Sequence, residues 1–183
     1  MTRVETAPES PPPPSAATRV VVMGVSGAGK STIGTLIADA LNFRFVDADS
    51  LHPLANIRKM AAGTPLSDAD RWPWLDLVGH ELAHAQGRGM VVACSALKRR
   101  YRDAIRRQAP DTIFLHLDGS VEVLSTRLEG RSGHFMPPAL LASQVATLER
   151  LESDESAVVV DISASMSHIV ERAVAGIHAI TEA

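Results

Sequence analysis

The 183-residue sequence has a single cysteine, Cys94, and few aromatic residues, which make up 4% of the chain. One cysteine excludes an internal disulfide bond and is typical of a reducing compartment, so we expect a cytoplasmic protein. No apolar run is long enough to span a bilayer, and we expect no membrane partner. The formal charge of −3 lacks the excess of positive charge that is typical of proteins that bind nucleic acid.

What is present is an ordinary globular composition, with 45% hydrophobic and 21% charged residues. That composition and length suffice for one domain with a substantial core. Residues 1–17 differ from the rest because they combine acidic residues with a proline run at 11–14. Such a segment favours polyproline II and solvated conformations over a packed core. We therefore predict a disordered tail over residues 1–17 and a single domain over residues 18–183.

Strand-like and helix-like segments alternate along the predicted domain. Short apolar, β-branched runs predict strands at residues 19–23, 43–46, 90–94, 112–117 and 157–162. A first helix is expected from about Lys30, and others near residues 54–62, 70–86, 97–107, 121–129, 138–151 and 165–180. This alternation predicts an α/β domain whose parallel sheet of five strands is covered on both faces.

A glycine-rich motif lies between the first predicted strand and the first predicted helix. Residues 24–31 read GVSGAGKS, which fits the P-loop pattern G-x-x-x-x-G-K-[ST]. Glycines let backbone N–H groups surround phosphate oxygens, and the positive end of the helix adds to the attraction. We expect Lys30 to contact the β- and γ-phosphates of ATP and Ser31 to be a ligand of Mg²⁺. The predicted nucleotide-binding residues are Gly24, Val25, Ser26, Gly27, Ala28, Gly29, Lys30, Ser31 and Thr32.

Two aspartates, Asp47 and Asp49, follow the second predicted strand, at the edge of the sheet where α/β proteins place their ligands. One carboxylate of such a pair can hold Mg²⁺ through water while the other accepts the proton of an attacking hydroxyl. We assign Asp47 to the metal and Asp49 to the acceptor. No Asn-Lys-x-Asp element is present, which argues against a GTPase and favours a small-molecule kinase.

Several blocks beyond the P-loop resemble the gluconokinases, and the resemblance covers about residues 20–150. They include DADSLHP at residues 47–53, CSALK at 94–98 and GHFMP at 133–137. The resemblance implies a nucleoside-monophosphate-kinase-like fold with sheet order 2-3-1-4-5, ATP and Mg²⁺ as cosubstrates, and a homodimer. It also implies that the enzyme phosphorylates D-gluconate at its 6-hydroxyl to 6-phospho-D-gluconate, which feeds the pentose phosphate pathway.

The implied acceptor is a small polyol carboxylate, so its site needs cations for the carboxylate and hydrogen-bonding groups for the hydroxyls. We expect the acceptor to lie on an insertion at about residues 50–88 and on the helix that follows the third strand. The candidate cations are Arg71, Lys98, Arg102 and His134, and the candidate polar contacts are Asp49, His52, Ser95 and Gln144.

A lid is expected at about residues 127–138, between two predicted helices. Arg131 is assigned to the transferring phosphoryl group and Arg127 to the nucleotide, although the sequence leaves this division open. Just beyond the lid the chain departs from the gluconokinase pattern. Val145 stands where phenylalanine is usual, and Arg150 and Leu151 replace a segment that commonly contains proline.

Three other interpretations remain open. The first is a kinase for another acceptor, such as shikimate or a nucleotide, and the second is a nonenzymatic module that binds a partner under nucleotide control. Residues 80–84 read HELAH, which matches the H-E-x-x-H motif of zinc hydrolases. However, the helical pattern places His80 and His84 opposite the apolar side of their helix, toward solvent.

Cys94 is expected to be a buried residue at a strand end and not a nucleophile.

Overall fold

The computed structural model describes residues 17–130 and 138–183. Arg131, His134, most of the predicted lid and nearly all of the predicted tail lie outside the described residues. The strands are β1 Thr18–Met23, β2 Arg44–Asp47, β3 Gly89–Ala93, β4 Ile113–Asp118 and β5 Ala157–Asp161. The helices are α1 Lys30–Leu41, α2 Leu54–Ala61, α3 Asp68–Ala83, α4 Arg99–Gln108, α5 Val121–Glu129, α6 Pro138–Thr147 and α7 Met166–Thr181, with a 3₁₀ helix at Ala48–Leu51.

All five strands form one parallel sheet in the order β2-β3-β1-β4-β5, which confirms the predicted topology. In the central strand β1, Val20 and Val22 face a core layer that includes α1 and α7. Val21 and Met23 face the opposite layer, which includes α3 and α4. Alternation of side chains along one strand thus supplies both cores, and the carboxyl ends of the strands meet at one edge.

Helix α3 begins two residues earlier than predicted because Ser67 is its N-cap. The Ser67 side chain accepts from the Asp70 backbone N–H, and the Asp70 carboxylate accepts from the Ser67 backbone N–H. This reciprocal pair is a capping box.

Two predicted helices have shorter bounds in the structure, for local reasons. Helix α4 does not begin at residue 97, because Ala96 has a left-handed φ of 44° and Lys98 is an extended N-cap. Helix α6 ends at Thr147, and the backbone N–H of Glu149 then donates to the Leu97 carbonyl instead of continuing the helix. The segment after α6 is therefore bound to the start of α4.

No helix in the described ranges is long and apolar enough to cross a membrane.

Candidate active site

The phosphate loop lies between β1 and α1, as predicted. Gly27 and Gly29 have φ values of 85° and 91°, in the left-handed region that side chains with a Cβ rarely adopt. A Cβ on Gly27 would also lie 2.9 Å from the Leu128 side chain. The loop leads directly into α1, which begins at Lys30 and contributes its positive end. Glycine geometry and the helix terminus therefore form a cradle suited to phosphate groups.

Ser31 and Asp47 meet beside this cradle. The Ser31 hydroxyl donates to Asp47 Oδ2 at 2.6 Å, while Asp47 Oδ1 accepts from the backbone N–H of Asp49 at 3.0 Å. A hydroxyl and a carboxylate provide the hard oxygen ligands that Mg²⁺ prefers. The two residues thus fit a magnesium ion, and binding of the metal by this pair stays a prediction. Nearby, Lys30 Nζ donates to the Val25 carbonyl at 3.1 Å, which holds the ammonium group against the loop.

Asp49 and His52, both predicted to contact the acceptor, lie in and just after the 3₁₀ helix that follows β2. Asp49 Oδ1 lies 4.0 Å from His52 Nε2, and the Asp49 side chain is 89% exposed. The imidazole is stacked on Trp74, with ring centroids 4.3 Å apart and an interplanar angle of 15°. Burial lowers the pKa of His52, against an opposing influence from Asp49. The pair therefore combines an exposed carboxylate with a fixed, neutral imidazole.

The structure brings two of the predicted acceptor cations together over the ring of Tyr101. Arg71 Cζ and Lys98 Nζ lie 5.7 Å and 5.3 Å from its centroid. Asp68, in the first turn of α3, was not predicted and completes this group. Its carboxylate accepts from the Tyr101 hydroxyl and pairs with Lys98 Nζ at 3.4 Å. The hydrogen bond from Tyr101, together with nearby Lys98, lowers the pKa of Asp68.

The burial of Arg102 contradicts the sequence-based prediction that this residue binds the acceptor. Its side chain is 0% exposed, and Nε and Nη2 donate to the two oxygens of Glu155 at 2.6 Å and 3.0 Å. The remaining donors contact backbone carbonyls of Ala96, Leu97, Glu149 and Arg150. The i, i+4 spacing misleads here, because Lys98 is the extended N-cap of α4 and not part of the helix. Arg102 points into the core and joins α4 to the segment before β5.

Three further predicted residues lie against the phosphate loop. Gln144 Oε1 accepts from the Ser26 backbone N–H at 2.7 Å, and the Ser95 carbonyl accepts from Gly24 N at 3.3 Å. Arg127 donates to the carbonyls of Ala28 and Ile162 at 3.2 Å and 2.6 Å, which links the loop to the end of β5. Contacts of Ser95 and Gln144 with an acceptor, and of Arg127 with a nucleotide, stay predictions.

The two departures from the gluconokinase pattern meet in space. Val145 and Arg150 both line a cavity of about 290 Å³ at the carboxyl end of β4, together with Val25 and the buried His116. Both departures therefore lie near Val25 of the phosphate loop, at the carboxyl end of β4.

The H-E-x-x-H helix does not form a metal cluster with other described residues. His80 and His84 are exposed on α3, as predicted, while Trp74, Leu75 and Leu82 are buried on its other side. Within residues 17–130 and 138–183, no group of three or more His, Cys, Asp or Glu side chains is placed to hold a metal ion. Cys94 is buried, and burial raises the pKa of its thiol to about 12. It is therefore not a nucleophile near neutral pH.

The five-stranded parallel sheet, the phosphate loop and the aspartates beside it define a P-loop kinase for small molecules. The chain matches the family model described as shikimate kinase over residues 26–177. Its curated relatives named gluconokinase or probable gluconokinase are 40–49% identical to it. The chain belongs to the gluconokinase family, within the wider family that the shikimate kinase model describes. Membership of this class of P-loop kinases implies ATP as the phosphoryl donor.

Two relatives illustrate the match, and a third shows how far the fold extends. The thermosensitive gluconokinase of Escherichia coli (strain K12) is 45% identical over 156 residues, which cover 83% of each chain. The crystal structure of a gluconokinase from Sinorhizobium meliloti 1021 is 48% identical, with a TM-score of 0.82 over 90% of this chain and 94% of that one. Shikimate kinase from Aquifex aeolicus has a TM-score of 0.57 at 15% identity over 90% of this chain and 99% of that one, which shows the fold alone.

Proposed function

We propose that this protein transfers the γ-phosphate of ATP to the 6-hydroxyl of D-gluconate, giving 6-phospho-D-gluconate and ADP for the pentose phosphate pathway. The observation that carries the proposal is the position of Asp49 and His52. They come shortly after Asp47 in the chain, and Asp47 is hydrogen-bonded to Ser31 at the end of the phosphate loop. Phosphate cradle and acceptor residues are thereby adjacent. Relatives named gluconokinase support gluconate as the acceptor.

Each group in the site has a role in this reaction. Asp49 orients the 6-hydroxyl and accepts its proton as the new O–P bond forms and the bond to the ADP oxygen breaks. Arg71 and Lys98 hold the gluconate carboxylate, and Lys30 contacts the β- and γ-phosphates. A magnesium ion held by Ser31 and Asp47 would neutralise phosphate charge. Because the transition state is loose, alignment of the reactants contributes more than proton removal.

Further parts of the proposal rest on the sequence. The lid residue Arg131 would stabilise the transferring phosphoryl group, and His134 would contact the acceptor. We also propose a homodimer in the cytoplasm.

Shikimate is a second candidate acceptor, favoured by the match to the shikimate kinase family model. Both acceptors are hydroxylated carboxylates, so the same cations would suit either one. The difference lies in the body of the acceptor, which is an open chain in gluconate and a ring in shikimate. The 15% identity to a shikimate kinase structure supports only the shared fold.

Release of ADP, coupled to NADH oxidation, distinguishes these acceptors. We expect ATP turnover that requires gluconate and Mg²⁺ and is at least about 100-fold slower with shikimate. The variant Lys30→Ala tests whether this turnover depends on the phosphate loop. It removes a cation from the phosphates and should reduce kcat at least about 100-fold. Its thermal unfolding midpoint should change little. Faster turnover of shikimate than of gluconate would replace the first candidate with the second, and no acceptor-dependent ADP release would contradict both.

A further inference from the structure

Asn56 is a buried polar residue on α2 behind the acceptor side of the site, and only 4% of it is exposed. Its side-chain nitrogen Nδ2 lies 2.8 Å from the carbonyl oxygen of Asp70 and 3.4 Å from Nδ1 of His52. One buried amide thus joins the start of α3 to the imidazole that faces Asp49.

The orientation of this amide follows from its contact with Asp70. A carbonyl oxygen only accepts hydrogen bonds, so the amide atom beside it must be the NH₂ group. A flipped amide would place two buried oxygens 2.8 Å apart. The second hydrogen of Nδ2 is then available to His52. His52 Nδ1 faces a donor and must accept, so in the neutral ring the proton is on Nε2.

Trp74 fixes the plane of the His52 ring, and within that plane a flipped ring would set Cδ2–H against the Asn56 NH₂ group in place of the accepting Nδ1. The two rings are stacked 4.3 Å apart, and the indole is itself fixed because Nε1 donates to the Ala48 carbonyl at 2.7 Å. Only 6% of the His52 side chain is exposed. Burial lowers the pKa of His52, the charge of Asp49 opposes this, and the charge of Arg71 adds to it; the net lowering favours the neutral ring near neutral pH.

We propose that Asn56 is a positioning residue that fixes His52 as its Nε2–H tautomer, so that His52 donates a hydrogen bond to an oxygen of the sugar acid beside Asp49. The identity of that acceptor rests on the proposed function. Nε2 lies 4.0 Å from Asp49 Oδ1, on the side of the ring away from Asn56. A protonated Nε2 cannot accept the proton of the attacking hydroxyl. The two neighbours therefore have separate tasks, because His52 donates and Asp49 accepts.

Two-bond ¹H–¹⁵N correlation NMR of the full-length protein without ligands tests the tautomer directly. Spectra at about pH 8 report the neutral rings, and the His52 signals among the seven histidines are those lost in His52→Gln. We expect the wild-type proton on Nε2, and a mixture of tautomers in Asn56→Ala. A wild-type proton on Nδ1 overturns the inference. A ring that stays wholly Nε2–H in Asn56→Ala also overturns it, because Asn56 would then fix nothing.

Steady-state kinetics test the consequence for the acceptor. We expect Asn56→Ala to lower kcat/KM for gluconate about five- to tenfold, the usual worth of one neutral hydrogen bond, with the KM for ATP unchanged. The matched control is Thr112→Val. Thr112 is 1% exposed, and its hydroxyl donates to the Ala109 carbonyl at 2.7 Å, so this variant also loses a buried hydrogen bond. It should keep the His52 tautomer and the wild-type kcat/KM.

Equal losses of kcat/KM in Asn56→Ala and Thr112→Val would indicate general loosening of the fold and contradict a positioning role. If the wild-type protein phosphorylates no gluconate, the proposed function fails and the acceptor contact fails with it. The NMR result then still decides whether Asn56 sets the tautomer.

Discussion

At the scale of single residues, Arg71 is the cation whose contribution to the acceptor can be isolated most cleanly. Its guanidinium donates to the Leu66 carbonyl and lies near the Tyr101 ring. Neither contact neutralises its positive charge, so the guanidinium can still attract a carboxylate. We expect Arg71→Ala to raise the KM for gluconate about tenfold or more with a smaller effect on kcat, because a charge-assisted contact is worth roughly 1.5–3 kcal/mol.

Gluconamide provides the matched comparison for Arg71, since it keeps the hydroxyls and lacks the anion. The KM for gluconamide should be high in the wild-type protein and should change little in Arg71→Ala. A similar rise of KM for both acceptors would show that Arg71 does not bind the carboxylate. Loss of folding in Arg71→Ala, seen by thermal unfolding, would assign the residue a structural role.

Local patterns in the sequence predict some residues of the site well and others poorly. Ser31 belongs to the motif after β1, and Asp47 and Asp49 belong to the motif at the end of β2. Each motif can be recognised within a few residues, and the structure places the three residues side by side as expected. Asn56 and Asp68 were not predicted as site residues, because their contacts with Asp70 and Tyr101 join positions 14 and 33 residues apart. No spacing rule within one helix could reveal such contacts. For Arg102, the spacing rule gave a wrong role.

At the scale of secondary-structure elements, the Arg102–Glu155 pair joins α4 to the segment between α6 and β5. Both side chains are 0% exposed. Although burial opposes the charged form, the hydrogen bond from Arg102 lowers the pKa of Glu155. Arg99 extends the junction at the surface through Asp154 at 2.7 Å and Glu152 at 3.0 Å. The end of α6, whose Gln144 contacts the phosphate loop, is thereby held in place.

We expect Arg102→Ala to lower the free energy of unfolding by about 3–5 kcal/mol, because it leaves the Glu155 carboxylate buried without its partner. Urea unfolding followed by circular dichroism measures this change. The control is Arg107→Ala on the same helix, where an exposed side chain should contribute within about 0.5 kcal/mol. A similar small effect of both variants would contradict the buried pair as the main link between these elements.

At the scale of the whole molecule, the alternation of apolar strands and amphipathic helices was enough to predict a parallel α/β domain. The order β2-β3-β1-β4-β5 came from the resemblance to the gluconokinases, and the structure confirms it. Element ends were less predictable, since α4 and α6 stop or start where tertiary contacts override the helical pattern. The Glu149–Leu97 hydrogen bond is one such contact, and the left-handed φ of Ala96 keeps the residues before Lys98 out of α4.

The most direct test of the account is the identity of the product made from ATP, Mg²⁺ and gluconate, read by proton-coupled ³¹P NMR. C6 of gluconate carries two hydrogens, whereas each other hydroxyl-bearing carbon carries one. Transfer to the 6-hydroxyl therefore predicts a new phosphomonoester signal split into a triplet, growing as the γ-phosphate signal of ATP declines. A doublet, or loss of the γ-phosphate only to inorganic phosphate, would contradict a phosphate cradle that serves an acceptor held by Asp49, Arg71 and Lys98.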